Sequence, residues 1–329
     1  MYKKRFTDLS LGFYSNGSLI LHPANIEKIN NESGEIRELA DDCHIYLIVS
    51  RPRASYLPGS ITLENGLLTG TLRCSFLGAE HHVAFTVEIG ESVEVQDLKY
   101  PFISLRFEDV DDPDEWFSIP AHLMSVCAKL SDRILSDLEV EYVGMSYAGG
   151  KRSAKDRLIS HSTLQAVMAD MSRDQPDREV MVVLERYEPP QVLMLMNGRD
   201  KSLNPDEDRN IVDDLNRAQN EISKDLQICL VEAGLIKYFQ PRYNDIYKKR
   251  FPHPSHEILK EVYSIDFGAV TVELNSEDLN VRLGSETRKA GFHHIANFDL
   301  HDPAVRTSFF NTMNVEGGPD AAMLSGPIY

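Results

Sequence analysis

Arg157 and His161 stand one helical turn apart in the stretch K-R-S-A-K-D-R-L-I-S-H-S-T-L. At a period of 3.6 residues both fall inside the apolar arc set by Leu158, Leu164, Met168 and Met171. A guanidinium on the apolar side of a helix needs an acidic partner or a cleft that admits an anion. Glu232 is placed in a similar way, at the flank of an apolar stripe through positions 211, 215, 218, 222, 226, 229, 233 and 236. Two readings are open from the residues alone: a structural Arg157–Glu232 ion bridge, or a site for an anionic ligand. Around them lie Lys151, Arg152 and Lys155 on one side, and Arg242, Lys248 and Lys249 on the other.

Those cations are conspicuous because the chain as a whole is acidic. It has 329 residues and a formal net charge of -17, which favours solubility and excludes a protein that coats nucleic acid indiscriminately. A local basic site remains compatible with that charge. Four widely spaced cysteines signal neither a zinc ribbon nor a disulfide framework. With no long apolar run and no apolar leader in M-Y-K-K-R-F-T-D, the expected setting is cytoplasmic, with no membrane contact.

Other groupings carry less chemistry. The acidic knot E-D-V-D-D-P-D-E (108–115) lacks the ligand period and central glycine of a calcium loop and reads as a solvated loop. His81-His82 and His293-His294 put neighbours on opposite faces of a strand, and His253-x-x-His256 lies among prolines, so these read as ordinary polar histidines. Gly149-Gly150-Lys151 does not complete a phosphate-binding loop, and no Ser/His/Asp elbow or dinucleotide fingerprint is present.

The elements that must position Arg157 and Glu232 form an α+β chain. Residues 1–130 are expected to make an antiparallel β-rich domain, from runs such as C-H-I-Y-L-I-V-S, with hairpin turns at Asn16-Gly17 and Asn65-Gly66. Residues 131–252 are expected to make an α/β domain, and 253–329 a β-rich extension. Ala121–Leu135 has helical spacing. Ser153 and Asp156 form a capping box for a helix running to about Met171. Glu179–Glu185 reads as a strand with Gln191–Met196 as its hairpin partner, and a helix begins at Asn204 and runs almost to Phe239.

Tyr142-Val143-Gly144 ending a strand, Arg157 and His161 on the next helix, then Glu232 and Asn244 in V-E-A-G-L-I-K-Y-F-Q-P-R-Y-N, together resemble the GIY-YIG nuclease family over residues 138–247. The resemblance implies a small antiparallel sheet with flanking helices that hydrolyses phosphodiesters of DNA or RNA. Tyr142 would then position or deprotonate the attacking water, and Arg157 would neutralise phosphate charge with His161 beside it. Glu232 would hold one Mg²⁺ and Asn244 would support the site. Lys151, Arg152, Lys155, Arg242, Lys248 and Lys249 would form the nucleic-acid-binding rim. In that family another strand, bearing a second tyrosine, precedes Y-V-G; here its place falls on L-S-D-R-I-L, and no tyrosine occurs between Tyr100 and Tyr142. The strand is expected either upstream, at D-E-W-F-S-I-P, or not at all, with Tyr147 as a stand-in. If it is absent, the alternative is a non-catalytic protein that binds nucleic acid or a protein partner, as a homodimer or within a multi-subunit assembly.

Overall fold

Apolar residues at alternate positions, Leu9, Leu11 and Phe13, bury one whole face of β1 (Thr7–Phe13). After Tyr14 the chain crosses to another layer, so β2 (Ser15–Leu21) joins a different sheet. Asn16-Gly17 therefore lies inside β2 and is no hairpin turn, contrary to the expectation from its sequence. The computed structural model describes residues 6–99, 102–107, 116–147, 153–159, 161–196, 200–204, 206, 212–213, 215–216, 222–244 and 267–299.

The helix α1 (Glu35–Asp42) leads into β3 (Ile45–Pro52), every residue of which is buried. Between β3 and the strand that pairs with it lies an inserted module. It consists of β4 (Ser55–Tyr56), β5 (Thr62–Glu64), β6 (Leu67–Phe76), β7 (Ala79–Glu88), β8 (Val93–Lys99), β9 (Phe102–Phe107), β10 (Phe117–Pro120), α2 (Ala121–Cys127) and β11 (Lys129–Leu130). Its two antiparallel sheets close on a core of their own that includes Leu68, Leu72, Phe85, Ile103, Leu105 and Leu135. Asn65 and Gly66 join β5 to β6 with φ of 51° and 75°, the left-handed pair expected of an Asn-Gly hairpin. The helix expected over Ala121–Leu135 stops at Cys127, because Lys129 and Leu130 instead pair with β7.

β12 (Asp137–Met145) then returns to pair antiparallel with β3. α3 (Ala154–Ile159) and α4 (Ser162–Asp174) replace the single expected helix. The expected capping box at Ser153 is present: Ser153 N donates to Asp156 Oδ2 at 2.9 Å, and Asp156 N to Ser153 Oγ at 3.4 Å. β13 (Arg178–Tyr187) pairs with β3 and β2, whereas β14 (Gln191–Met196) pairs with β1 and not with β13 as expected. α5 (Lys224–Phe239) begins at its cap Ser223, so the stripe traced from position 211 is not one helix. β15 (Phe267–Asn275), β16 (Arg282–Ser285), β17 (Arg288–Gly291) and β18 (His293–Asp299) complete the described chain.

Two sheets enclose α5. One has the order β17-β16-β12-β3-β13-β2 and the other β14-β1-β15-β18. Eleven of the 16 residues of α5 are buried, as a helix must be when it packs on both sides. It lies against β12 and β3 of the first sheet and β15 and β18 of the second. Gly234 allows the close approach, since a Cβ there would lie 2.7 Å from Val272 Cγ2. Each buried leucine or isoleucine in this layer contributes roughly 1.5–3 kcal/mol. The other face of the six-stranded sheet carries α3 and α4 through Leu158, Leu164, Val167 and Met171.

The chain is thus mixed α+β, but its sheets do not follow the three consecutive segments expected. The six-stranded sheet takes β2 and β3 from the first, β12 and β13 from the second, and β16 and β17 from the third. Burial on both faces of β3 requires neighbours that no local segment supplies. Among the described residues no helix is long and apolar enough to cross a membrane.

Candidate functional site

The pairing of β3 with β12 sets Tyr46 opposite Gly144 and Ile48 opposite Tyr142, after a register shift between Val140 and Tyr142. Tyr46, from C-H-I-Y-L-I-V-S, is therefore a tyrosine that the sheet sets beside Tyr142, with the whole inserted module between them in sequence. The upstream candidate D-E-W-F-S-I-P instead supplies β10, which pairs only with β9 inside that module. Tyr147, the other stand-in, packs edge-on against His44 with Lys224 over its ring.

The Tyr46 ring centroid lies 6.1 Å from that of Tyr142 and 5.5 Å from that of His161. His161 is not one turn along the Arg157 helix, as expected, but sits in extended backbone as the N-cap of α4. Its Nδ1 accepts from Leu164 N at 3.3 Å, which leaves the proton of the neutral ring on Nε2. Nε2 is 3.1 Å from the Tyr46 hydroxyl and donates to it. Arg157 and Tyr142 also act electrostatically on that hydroxyl.

Exposure rises across the group. Tyr46 and His161 are buried, while Tyr142, Arg157 and Glu232 are half-buried. Burial drives the Tyr46 phenol well above its usual pKa; the nearby Tyr142 adds to this, and Arg157 opposes it. Tyr142 is pushed up to about 12, first by burial and then by Glu232, against the pull of Arg157. Burial opposes the Arg157 charge, but Tyr46, Tyr142 and Glu232 outweigh it and raise its pKa. Both tyrosines are thus neutral phenols near neutral pH. Arg157 Nε is buried and has no hydrogen-bond partner among the described residues. That donor suits an incoming anionic oxygen.

Asn244 serves the strand and not the reacting side of the group. Its Oδ1 accepts from Val143 N at 2.8 Å and its Nδ2 donates to Val143 O at 2.8 Å. β16 pairs with β12 only over Asp137–Glu139, so the Asn244 amide satisfies the edge further along. It holds β12 where Tyr142 and Gly144 must sit.

Two residues of the expected basic rim are described. Lys155 is no part of it: its side chain is 2% exposed, pairs with Asp41 at 2.6 Å and donates to Asn30 at 3.1 Å. Arg242 is exposed, over the ring of Tyr243. Lys151, Arg152, Lys248 and Lys249 lie outside the described residues. So do the acidic knot 108–115, His253 and His256. His294 is held by Leu283 O, Gly291 O and Tyr238, and His82 and His293 pair with Glu80 and Glu273.

Among the described residues no three His, Cys, Asp or Glu side chains gather as a metal cage. Glu232 is a single half-buried carboxylate whose charge acts on both phenols. Such an all-oxygen, single-carboxylate set fits Mg²⁺, which keeps most of its waters and takes phosphate oxygens, better than it fits zinc. No sequence signal other than its strand-like run pointed to Tyr46; a tyrosine on an earlier buried strand is the only local mark it carries. No protein-family model, curated protein or solved structure matches this chain.

Proposed function

We propose that Tyr46, Tyr142, Arg157, His161 and Glu232 form a GIY-YIG-type site that hydrolyses phosphodiesters of DNA or RNA. In this reading β3 and β12 are the two signature strands, and the inserted module separates them. The observation that carries it is the pairing of Tyr46 and Tyr142 on adjacent antiparallel strands, with Arg157 and Glu232 acting electrostatically on both. The alternative of a non-catalytic binding protein rests on a missing second tyrosine and on the strong negative charge; Tyr46 speaks against the first ground only.

His161 donates to Tyr46, and the half-buried Tyr142 beside it would present its hydroxyl to the attacking water or a phosphate oxygen. Neutral phenols orient the nucleophile. Arg157, with Nε free, binds phosphate oxygens and offsets the charge that grows on them in the transition state. Glu232 is the residue that would hold Mg²⁺, which supplies Lewis-acid stabilisation when bound. Partial burial strengthens each of these interactions relative to water.

The test uses the full chain with plasmid DNA and with a structured RNA, in Mg²⁺ or Mn²⁺. Nicking or cleavage that disappears in EDTA and in Glu232→Ala is expected. Cleavage undiminished in Glu232→Ala would reject the assignment.

A further inference from the structure

At the Asp137 end of β12, about 16 Å along the strand from Tyr142, a groove of about 790 Å³ opens between the inserted module and the edge of the six-stranded sheet. Five cations line it: Arg133 from the module, and Arg178, Arg282, Arg288 and Lys289 from the sheet. Three carboxylates share it, but two are already engaged. Asp137 pairs with Arg282 at 2.5 Å and Glu139 with Arg178 at 2.9 Å. The third, Asp132, accepts from Ile134 N at 2.7 Å within its own turn.

Arg133, Arg288 and Lys289 form no ion pair with a carboxylate among the described residues. Arg288 is nevertheless anchored on Tyr238. Its Nε donates to Tyr238 O at 3.0 Å and its guanidinium lies 4.4 Å from the centre of the Tyr238 ring. That leaves its outer nitrogens for another acceptor. Tyr238 and Glu232 belong to the same helix, α5, about 9 Å apart along its axis. One rigid helix therefore fixes the groove relative to the tyrosine group. On a chain of net charge -17, unpaired cations held in place along a concave surface are a local polyanion site.

We infer that this groove binds the sugar–phosphate backbone of the nucleic acid that is engaged at the tyrosine group. The inference rests on the function proposed above. It makes the inserted module a clamp on substrate lying several nucleotides from the reacting phosphate. Arg133, Arg288 and Lys289 supply sequence-independent contacts, so the groove adds affinity and register and carries no base recognition.

The experiment measures binding of the full chain to a short fluorescein-labelled DNA duplex and to an RNA of the same sequence, across a salt series in EDTA. The variant Arg133→Glu/Lys289→Glu should lose at least about tenfold in affinity at low salt, with the slope of log K against log salt smaller by about 2. Arg133→Ala/Lys289→Ala should show a smaller loss in the same direction, and both variants should melt as the parent does. Arg157→Ala should abolish cutting in Mg²⁺ while keeping the groove's share of the salt slope. Unchanged affinity and slope in both double variants overturns the groove while leaving the cutting site standing. A parent protein that neither binds nor cuts either nucleic acid overturns both. Tighter binding to a poly-glutamate peptide than to either nucleic acid, lost in the same variants, reassigns the groove to an acidic protein partner and overturns the inference.

Discussion

Tyr46 stands directly opposite Gly144 in the register of β3 and β12, and a Cβ at position 144 would collide with its hydroxyl and meet Tyr142 Cε1 at 2.7 Å. The glycine that ends Y-V-G is thus the space into which the Tyr46 ring fits. Replacing it forces a ring buried at 0% exposure to move, at a cost of about 1–3 kcal/mol. Gly144→Ala is expected to melt lower and, under the proposed function, to lose cleavage beyond what its stability explains. Full activity in a folded Gly144→Ala protein would show that the rings need not hold this arrangement.

Tyr46→Phe keeps the ring and deletes the oxygen that His161 bonds and that Arg157 and Tyr142 act on electrostatically. Stability should fall by only about 1 kcal/mol, since a hydrogen bond is lost but no cavity forms. Under the proposed function cleavage should fall by about 10²-fold or more, because Tyr142 and Arg157 lose the polar group beside them. Single-turnover cleavage rates read this directly, and a rate within twofold of the parent would remove Tyr46 from the site.

Asn244→Ala strips both backbone groups of Val143 of their partner in a buried setting. A loss of about 2–3 kcal/mol is expected in denaturant unfolding, with activity falling alongside it. Asn244→Asp should cost at least as much, since a carboxylate cannot donate to Val143 O. An Asp variant as stable as the parent would argue that the clamp is dispensable.

The inserted module is tied to the sheet by a fully buried arginine. Arg51 Nε donates to Glu179 at 2.9 Å, and its other nitrogens donate to Leu135 O at 2.7 Å and His122 O at 3.0 Å. Arg51→Ala leaves Glu179 and two carbonyls without their donor, which costs about 3–5 kcal/mol. Thermal unfolding of that variant should be lowered sharply. A shift of less than about 1 kcal/mol would mean the module is held by its apolar contacts alone.

Glu185 is fully buried, accepts from Ser18 Oγ at 2.8 Å and has one oxygen without a partner among the described residues. Burial, with Glu273 nearby, raises its pKa well above the ordinary 4.5, against the Ser18 hydrogen bond. The folded state therefore binds this proton more tightly than the unfolded chain. Below about pH 4.5 both states hold it and there is no penalty. As pH rises beyond that, the unfolded chain gives up the proton and the folded state loses relative stability until Glu185 itself ionises. Glu185→Gln should therefore stabilise the protein near pH 7, with the gain shrinking towards pH 4.5. Equal shifts in melting temperature at both pH values would contradict this.

Local chemistry in the chain was enough to place several pieces. The Ser153–Asp156 box, the Asn65-Gly66 turn, the strand bearing Tyr142 and the apolar helix around Glu232 each depend on residues a few positions apart, where backbone preference and side-chain bonding decide the outcome. Where the helix containing Arg157 stops was not legible, because His161 bonds its own backbone as a cap and no periodicity reports that choice. Nor was the partner of Tyr142. H-I-Y-L-I-V is apolar on both faces, so it shows no alternation to fix its side or its register. Its neighbours β12 and β13 are distant in sequence, and only the assembled six-stranded sheet selects them. The sequence by itself singled out Tyr142, Arg157 and Glu232. The tertiary structure decided that Tyr46 stands beside Tyr142 and that Lys155 is buried against Asp41, because burial and register belong to the packed sheet and not to any stretch of chain.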